Sequence, residues 1–136
     1  MDMNNKKVKW LIYTVLVALI PVLSRVIVWI VTRRGSIDLF NPGDFVAFGL
    51  VLHISNINEI EHIDATDDNW KTIQNGISIV FIAFYGVLFA LTLLAGAQPS
   101  IVDLTTIKYC SMLLSMISFI VSYSVYNRIS YISEAD

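Results

Sequence analysis

Three long apolar segments, separated by short polar connections, run along this chain and predict helices that cross a membrane. They cover about residues 9–32, 70–95 and 104–127. A helix needs about 20 predominantly apolar residues to cross roughly 30 Å of hydrocarbon, and each segment is at least that long. Because the connections are short, we expect neighbouring helices to run antiparallel.

A fourth segment, about residues 43–60, is apolar only in its first half. Its second half is polar, yet isoleucines continue through it at three-residue steps: Ile54, Ile57, Ile60 and Ile63. Such spacing is typical of one face of a helix. Asn41 followed by Pro42 is a helix-start signal. We therefore predict a second spanning helix that continues well past Asn56, to about Ile63, and extends into the cytoplasm.

The predicted fold is all-α. We expect a single membrane domain, residues 1–136, with four transmembrane helices in an up-down bundle at about 9–32, 43–60, 70–95 and 104–127. The composition agrees, because 56% of the residues are hydrophobic and only 15% are charged, whereas soluble domains carry about 25% charged residues.

Candidate chemistry is sparse in this sequence. The net charge of -2 gives no reason to expect direct nucleic-acid binding. The single cysteine, Cys110, has no partner for a disulfide within the chain. We find no nucleophile–base pair, no metal-ligand spacing and no glycine-rich phosphate loop. We therefore expect neither an enzyme nor a bound metal or cofactor.

The basic residues predict the orientation in the membrane. Positive residues near the ends of spans favour the cytoplasmic side. With four spans both termini share one side, which carries the basic residues Lys6, Lys7, Lys9, Lys71 and Arg128. We therefore expect a multi-pass protein of the bacterial inner membrane with both termini in the cytoplasm.

Arg25 and His53 are ionisable residues inside apolar segments. A charge at the depth of Arg25 is costly unless it is paired or hydrated, and Asp44 at the start of the second span is its best-placed partner. We favour an arginine that snorkels to the interface or pairs with an acid over a residue of an ion or substrate path. For His53 we favour a buried, hydrogen-bonded neutral imidazole over a proton relay.

A serine stripe follows one face of the fourth helix, and Lys108 lies one turn before it. Its members are Ser111, Ser115, Ser118 and Ser122. Buried serine hydroxyls can bond to a carbonyl one turn back, so we favour a close-packed helix seam over the lining of a pore at an oligomer axis. The small residues Ala83, Gly86 and Ala90 on the third helix are typical of close helix approach. Both seams would allow a homo-oligomer.

The segment after His53 combines the isoleucine stripe with clustered acids, which are Glu59, Glu61, Asp64, Asp67 and Asp68. Two interpretations are open: a solvated acidic surface, and a docking face for a basic cytosolic partner or another copy of this chain. Acids alone need no partner, whereas isoleucines outside the bilayer would need one. We therefore predict docking at this face, through the acids together with Ile57, Ile60 and Ile63.

The overall plan resembles that of small four-span membrane subunits in prokaryotic defence operons, and it is most similar to the membrane component of the Kiwa antiphage system. The likeness lies in chain size, span number, minimal loops and the projection formed by Ile57 to Asp68. The resemblance implies an oligomeric inner-membrane sensor that holds a cytosolic DNA-binding effector and responds to phage at the envelope. It assigns no role to any single residue.

The sequence leaves three functions open. The first is a membrane subunit that contacts lipid, oligomerises and anchors a cytosolic protein. The second is a small channel or holin-like pore-forming effector that uses the serine stripe, Lys108 and Arg25. The third is a small-solute transporter that uses Arg25, Asp44 and His53, although the paired helix interruptions that mark many transporter sites are not evident in the sequence.

Overall fold

A computed structural model describes residues 9–63 and 67–135 of the chain. The described residues form four helices and no strand. A π-helical stretch, Leu11–Val15, leads into α1, Leu16–Val31. The other helices are α2, Pro42–Glu61; α3, Asp68–Ala97; and α4, Leu104–Ala135. The predicted all-α class is confirmed.

Three of these helical segments are long and apolar enough to cross a membrane. They are Ile12–Val31, Asp68–Ala97 and Leu104–Tyr131. Most of their large apolar side chains point outward, including Ile27, Phe84 and Ile120. An outward apolar surface on every one of these helices suits contact with lipid tails. The chain is therefore a helical membrane protein.

The remaining helix, α2, is not among these three candidate spans and lies at the centre of the bundle. It contacts α1, α3 and α4, whereas α1 packs mainly on α2. Its buried side chains include Val46, Phe48 and Leu52, together with the polar His53 and Asn56. Since neighbouring helices cover it on several sides, α2 can carry polar residues that a lipid-facing helix could not.

Local signals start the helices where the sequence indicates. The Asn41 side chain accepts a hydrogen bond from the Gly43 amide at 2.8 Å, and Pro42 opens α2. Asp67 accepts from the Trp70 amide at 3.2 Å before α3. Asp103 accepts from the Thr106 hydroxyl at 2.7 Å and from the Thr105 amide at 3.1 Å. These bonds hold the pKa of the Asp103 carboxyl below its usual value.

Helix α2 is continuous past Asn56, as predicted, but it ends at Glu61 rather than at about Ile63. His62 follows it, and the His62 amide and ring both bond to the carbonyl of Asn58. The 20 residues of α2 correspond to about 30 Å at the rise of an α-helix. That length equals the usual thickness of bilayer hydrocarbon.

The isoleucine stripe is largely covered by the chain itself. Ile60 is fully buried and packs against Val125 and Ile129 of α4, with Ile63 and Trp70 beside them. Ile57 is half-buried, and only Ile54 is exposed. The premise that Ile60 needs an external partner is therefore wrong, because periodicity identifies an apolar face but not what covers it. Docking at this end of the molecule stays a prediction.

The two predicted close-packing seams differ in what they face. Ala83, Gly86 and Ala90 of α3 are exposed, and no atom outside the helix lies within 4 Å of a Cβ added at Gly86. A close approach between helices occurs instead at Gly49 of α2. A Cβ added there would lie 2.0 Å from Cζ of the fully buried Tyr85 of α3. Glycine is therefore required at position 49 for α3 to place Tyr85 across the α2 backbone.

The substitution Gly49→Ala should destabilise the protein by about 1–3 kcal/mol, the usual cost of overpacking a core. Tyr85 cannot simply move aside, because its ring is buried and its hydroxyl is hydrogen-bonded. Thermal unfolding of the purified protein in detergent measures this cost. The matched control is Gly86→Ala on the exposed seam, which should be neutral or slightly stabilising. Equal melting temperatures for the two variants would contradict this account of the crossing.

Candidate functional site

His53 is the centre of a hydrogen-bonded group that joins three helices. It lies on α2 and is fully buried. Its Nδ1 lies 3.2 Å from the hydroxyl oxygen of Ser78 on α3, and its Nε2 lies 2.9 Å from that of Ser118 on α4. Both ring nitrogens therefore have partners inside the bundle.

Two aromatic side chains of α3 complete the surroundings of His53. The Phe81 ring stacks on the imidazole with centroids 4.6 Å apart. The Tyr85 hydroxyl lies 2.6 Å from the hydroxyl oxygen of Ser118, so Ser118 serves both His53 and Tyr85. Neutral imidazole donates from one nitrogen and accepts at the other, while each hydroxyl can donate and accept. The group can therefore be fully satisfied without a charge on His53, in agreement with the favoured interpretation.

A second interhelical bond lies one turn further along α2. The Asn56 side-chain amide donates to the Ser122 hydroxyl at 2.9 Å. His53 and Asn56 are thus on one face of α2, and Ser118 and Ser122 are on the matching face of α4. Two successive polar contacts of this kind fix the register of α2 against α4.

The whole serine stripe of α4 is buried within the chain, at 0–4% exposure. The Ser111 hydroxyl donates to the Ile107 carbonyl at 2.8 Å, and the Ser115 hydroxyl donates to the Met112 carbonyl at 2.7 Å. The predicted close-packed seam is confirmed. The alternative, a pore lining at an oligomer axis, receives less support, because the hydroxyls of these serines bond to α2, to α3 or to the α4 backbone.

An ion pair joins the second half of α1 to the first turn of α2. The Arg25 Nε donates to the Asp44 carboxylate, and both side chains are partly buried. This confirms the predicted pairing and removes the need for Arg25 to stand unpaired in hydrocarbon. Lys108 is not part of the pair. It lies over the Tyr109 ring, 5.7 Å from the centroid, and borders a small cavity of about 70 Å³ that Asp38 also lines.

The predicted acidic residues that the structure describes lie where α2 ends and α3 begins. Glu59, Glu61, Asp67 and Asp68 are all exposed, and Asp64 falls outside the described residues. Asp67 forms an ion pair with Arg128 at 3.2 Å. Glu61 accepts a hydrogen bond from the Asn75 amide. The acids therefore lie close to one another along the chain, on a surface that is only partly neutralised.

Arg128 links the ends of α3 and α4 at this same surface. Besides its bond to Asp67, its guanidinium lies 4.6 Å from the centroid of the Trp70 ring. The Lys71 ammonium donates to the Ile63 carbonyl. These contacts close the connection between α2 and α3 against the buried Ile60 and stabilise this end of the bundle.

Sequence reasoning missed Ser78 and Tyr85 as partners of the buried group. The available signal was their spacing of seven residues, which puts both on one face of α3. A polar stripe on an otherwise apolar helix predicts an inward face, but the partner on another helix has no sequence signature. Among the described residues, no group of histidine, cysteine, aspartate or glutamate side chains could hold a metal ion.

A double-mutant cycle on Arg25→Met and Asp44→Asn should give a coupling energy of roughly 0.5–3 kcal/mol, the range for residues in direct contact. Each single change leaves a partly buried group without its partner, so the double variant should cost less than the sum. Unfolding in detergent supplies the four free energies. The control cycle replaces Asp44→Asn with Asp38→Asn, an exposed acid nearby. Additive effects at Arg25 and Asp44 would contradict the pair.

Comparisons with known proteins assign no identity to this arrangement. No protein-family model, no curated protein and no solved structure matches the chain.

Proposed function

We propose that this chain is a four-span subunit of the bacterial inner membrane that oligomerises and holds a cytosolic protein at the membrane. In this arrangement α2 crosses the bilayer with α1, α3 and α4, both termini lie in the cytoplasm, and the last turn of α2 emerges there. The length and composition of α1, α3 and α4 support these three spans. The central position of α2 and its length of about 30 Å support α2 as the additional span.

The observation that carries the proposal is the distribution of polar groups. Inside the bundle, His53 and Asn56 are buried and bonded to neighbouring helices. At the α2–α3 end, by contrast, Glu59, Glu61 and Asp68 are exposed and form no ion pair within the described part of the chain. The exposed carboxylates at this end can therefore bind a partner, whereas the polar side chains of His53 and Asn56 are already hydrogen-bonded inside the bundle.

The sign of this surface indicates the kind of partner. An acidic surface is repelled by the anionic lipids of the cytoplasmic leaflet, so the membrane itself does not neutralise it. A basic protein surface complements it and would be steered to it by charge. The resemblance to the membrane component of the Kiwa antiphage system agrees with this arrangement, since it implies a cytosolic DNA-binding effector as the partner and a role as a sensor of phage at the envelope.

A channel or a transporter receives less support from the geometry. Either would need polar side chains facing a path through the bilayer. The serine stripe is buried against α2. The neighbouring cavity, of about 250 Å³, is bordered mainly by the apolar side chains of Phe48, Met116, Phe119 and Ile120. Arg25, which both alternatives use, is already paired with Asp44.

The docking surface can be tested by reversing charge without touching the core. The variant Glu61→Lys/Asp68→Lys alters two exposed acids, whereas changes at Ile60 would disturb a buried contact. We expect a tagged chain, solubilised from its native membranes, to retain a basic cytosolic protein, and the variant to retain roughly tenfold less of it, which corresponds to about 1.4 kcal/mol. Quantitative mass spectrometry of the purified complex provides the measurement.

The matched control is Asp38→Lys, a charge reversal at an exposed acid on the opposite end of the bundle. It should retain the same protein at the native level. Native-level retention by Glu61→Lys/Asp68→Lys, or a chain from native membranes that carries no basic protein, would contradict the proposed docking.

A further inference from the structure

A pocket of about 190 Å³ opens beside the start of the π-helical stretch and the end of α2. Its lining residues come from three parts of the chain and are Lys9, Trp10, Tyr13, Thr14, Glu59 and Tyr126. Tryptophan and tyrosine are enriched at the level of lipid headgroups, so the aromatic lining of this pocket suits a position at the membrane–water interface. Of its lining residues, only Glu59 also belongs to the acidic surface proposed above for docking.

Two opposite charges border the pocket without neutralising each other. Lys9 and Glu59 are both exposed. Among the ion pairs of the described residues, neither side chain takes part. A ligand that carries one negative and one positive group would satisfy both, whereas a singly charged ligand would leave one charge unmatched and face the other as a repulsion.

The wall between these charges is aromatic and rigid. Trp10 is only 6% exposed, and its ring stacks on Tyr126 with centroids 4.9 Å apart and planes 15° apart. Tyr123 lies against the same indole, with centroids 6.4 Å apart. Tyr13, by contrast, is largely exposed at the pocket. Aromatic faces attract ammonium groups, and more strongly where water is excluded.

We propose that this pocket binds the zwitterionic headgroup of a phospholipid, such as one with an ethanolamine headgroup. The phosphate contacts the Lys9 ammonium, and the lipid ammonium contacts the Glu59 carboxylate beside the aromatic wall. The acyl chains run along the outer face of the first helical segment, where Ile12 and Leu16 are about half exposed. The binding site therefore has two adjoining parts. The charged pocket holds the headgroup, and the apolar outer face of the helix holds the acyl chains.

The surrounding charge separates this ligand from an anionic lipid. Glu59 lines the pocket, and Glu61 lies exposed on the same helix. A lipid with a net negative charge would be repelled by the Glu59 carboxylate, because it has no ammonium group to offset the repulsion. A zwitterionic lipid presents its cation to the same group. Selectivity therefore comes from Glu59, and attraction of the phosphate comes from Lys9.

Native mass spectrometry of the purified full chain, with ethanolamine or glycerol phospholipids of identical acyl chains, tests the proposal. The native chain should retain the ethanolamine lipid roughly fivefold over the glycerol lipid, which corresponds to about 1 kcal/mol. Glu59→Gln should abolish this preference, because the amide carries no charge for the ammonium. Lys9→Gln should lower retention of both lipids, because both contain the phosphate.

The controls are Asp38→Asn and Arg33→Gln, exposed charges at the other end of the bundle, and both should keep the native preference. Equal retention of the two lipids by the native chain would overturn the proposal. An unchanged preference in Glu59→Gln, or unchanged retention in Lys9→Gln, would overturn it as well. The assay uses no protein partner and leaves Glu61 and Asp68 intact, so its result is independent of the docking test.

Discussion

The need to satisfy the buried His53 inside the helix bundle constrains the rest of this structure. In a bilayer a buried polar side chain has no water to bond, and leaving it unpaired costs several kcal/mol. His53 meets this need through Ser78 and Ser118, which lie on two different helices. These bonds determine that α2 occupies the centre and that α3 and α4 turn their polar faces toward it. The apolar faces of the outer helices are then left for lipid.

The ion pairs of the described residues lie near the two ends of the bundle, away from His53. At one end, Arg25 and Asp44 tie α1 to α2, which matters because α1 packs mainly on α2. At the other end, Arg128 bonds to Asp67 and stacks on Trp70, above the buried Ile60. At this second end, Glu59, Glu61 and Asp68 are exposed and take no part in these contacts. The buried polar side chains are bonded to one another, whereas acids at one end are exposed. This difference favours a docking subunit over a channel or a transporter.

Sequence reasoning succeeded where the determining interaction is local or is fixed by a short connection. Three candidate spans, the start of α2 and the Arg25–Asp44 pair follow from hydropathy, capping residues and a tight hairpin. It failed for Ile60, since a helical stripe does not reveal whether α4 or another protein covers it. It also missed the Tyr85–Gly49 crossing, because that contact depends on how two helices meet in space. The serine stripe was recognised, but its partners on α2 were not.

The most direct test of the central claim is the coupling between His53 and Ser118. A double-mutant cycle of His53→Phe and Ser118→Ala, followed by unfolding in detergent, isolates the contribution of their contact from the effect of each change alone. Ser118→Ala leaves Nε2 of the imidazole unpaired only while His53 is present, so its cost should be smaller in the His53→Phe background. We expect a coupling energy of roughly 0.5–3 kcal/mol. Additive costs, with no coupling between positions 53 and 118, would contradict the account.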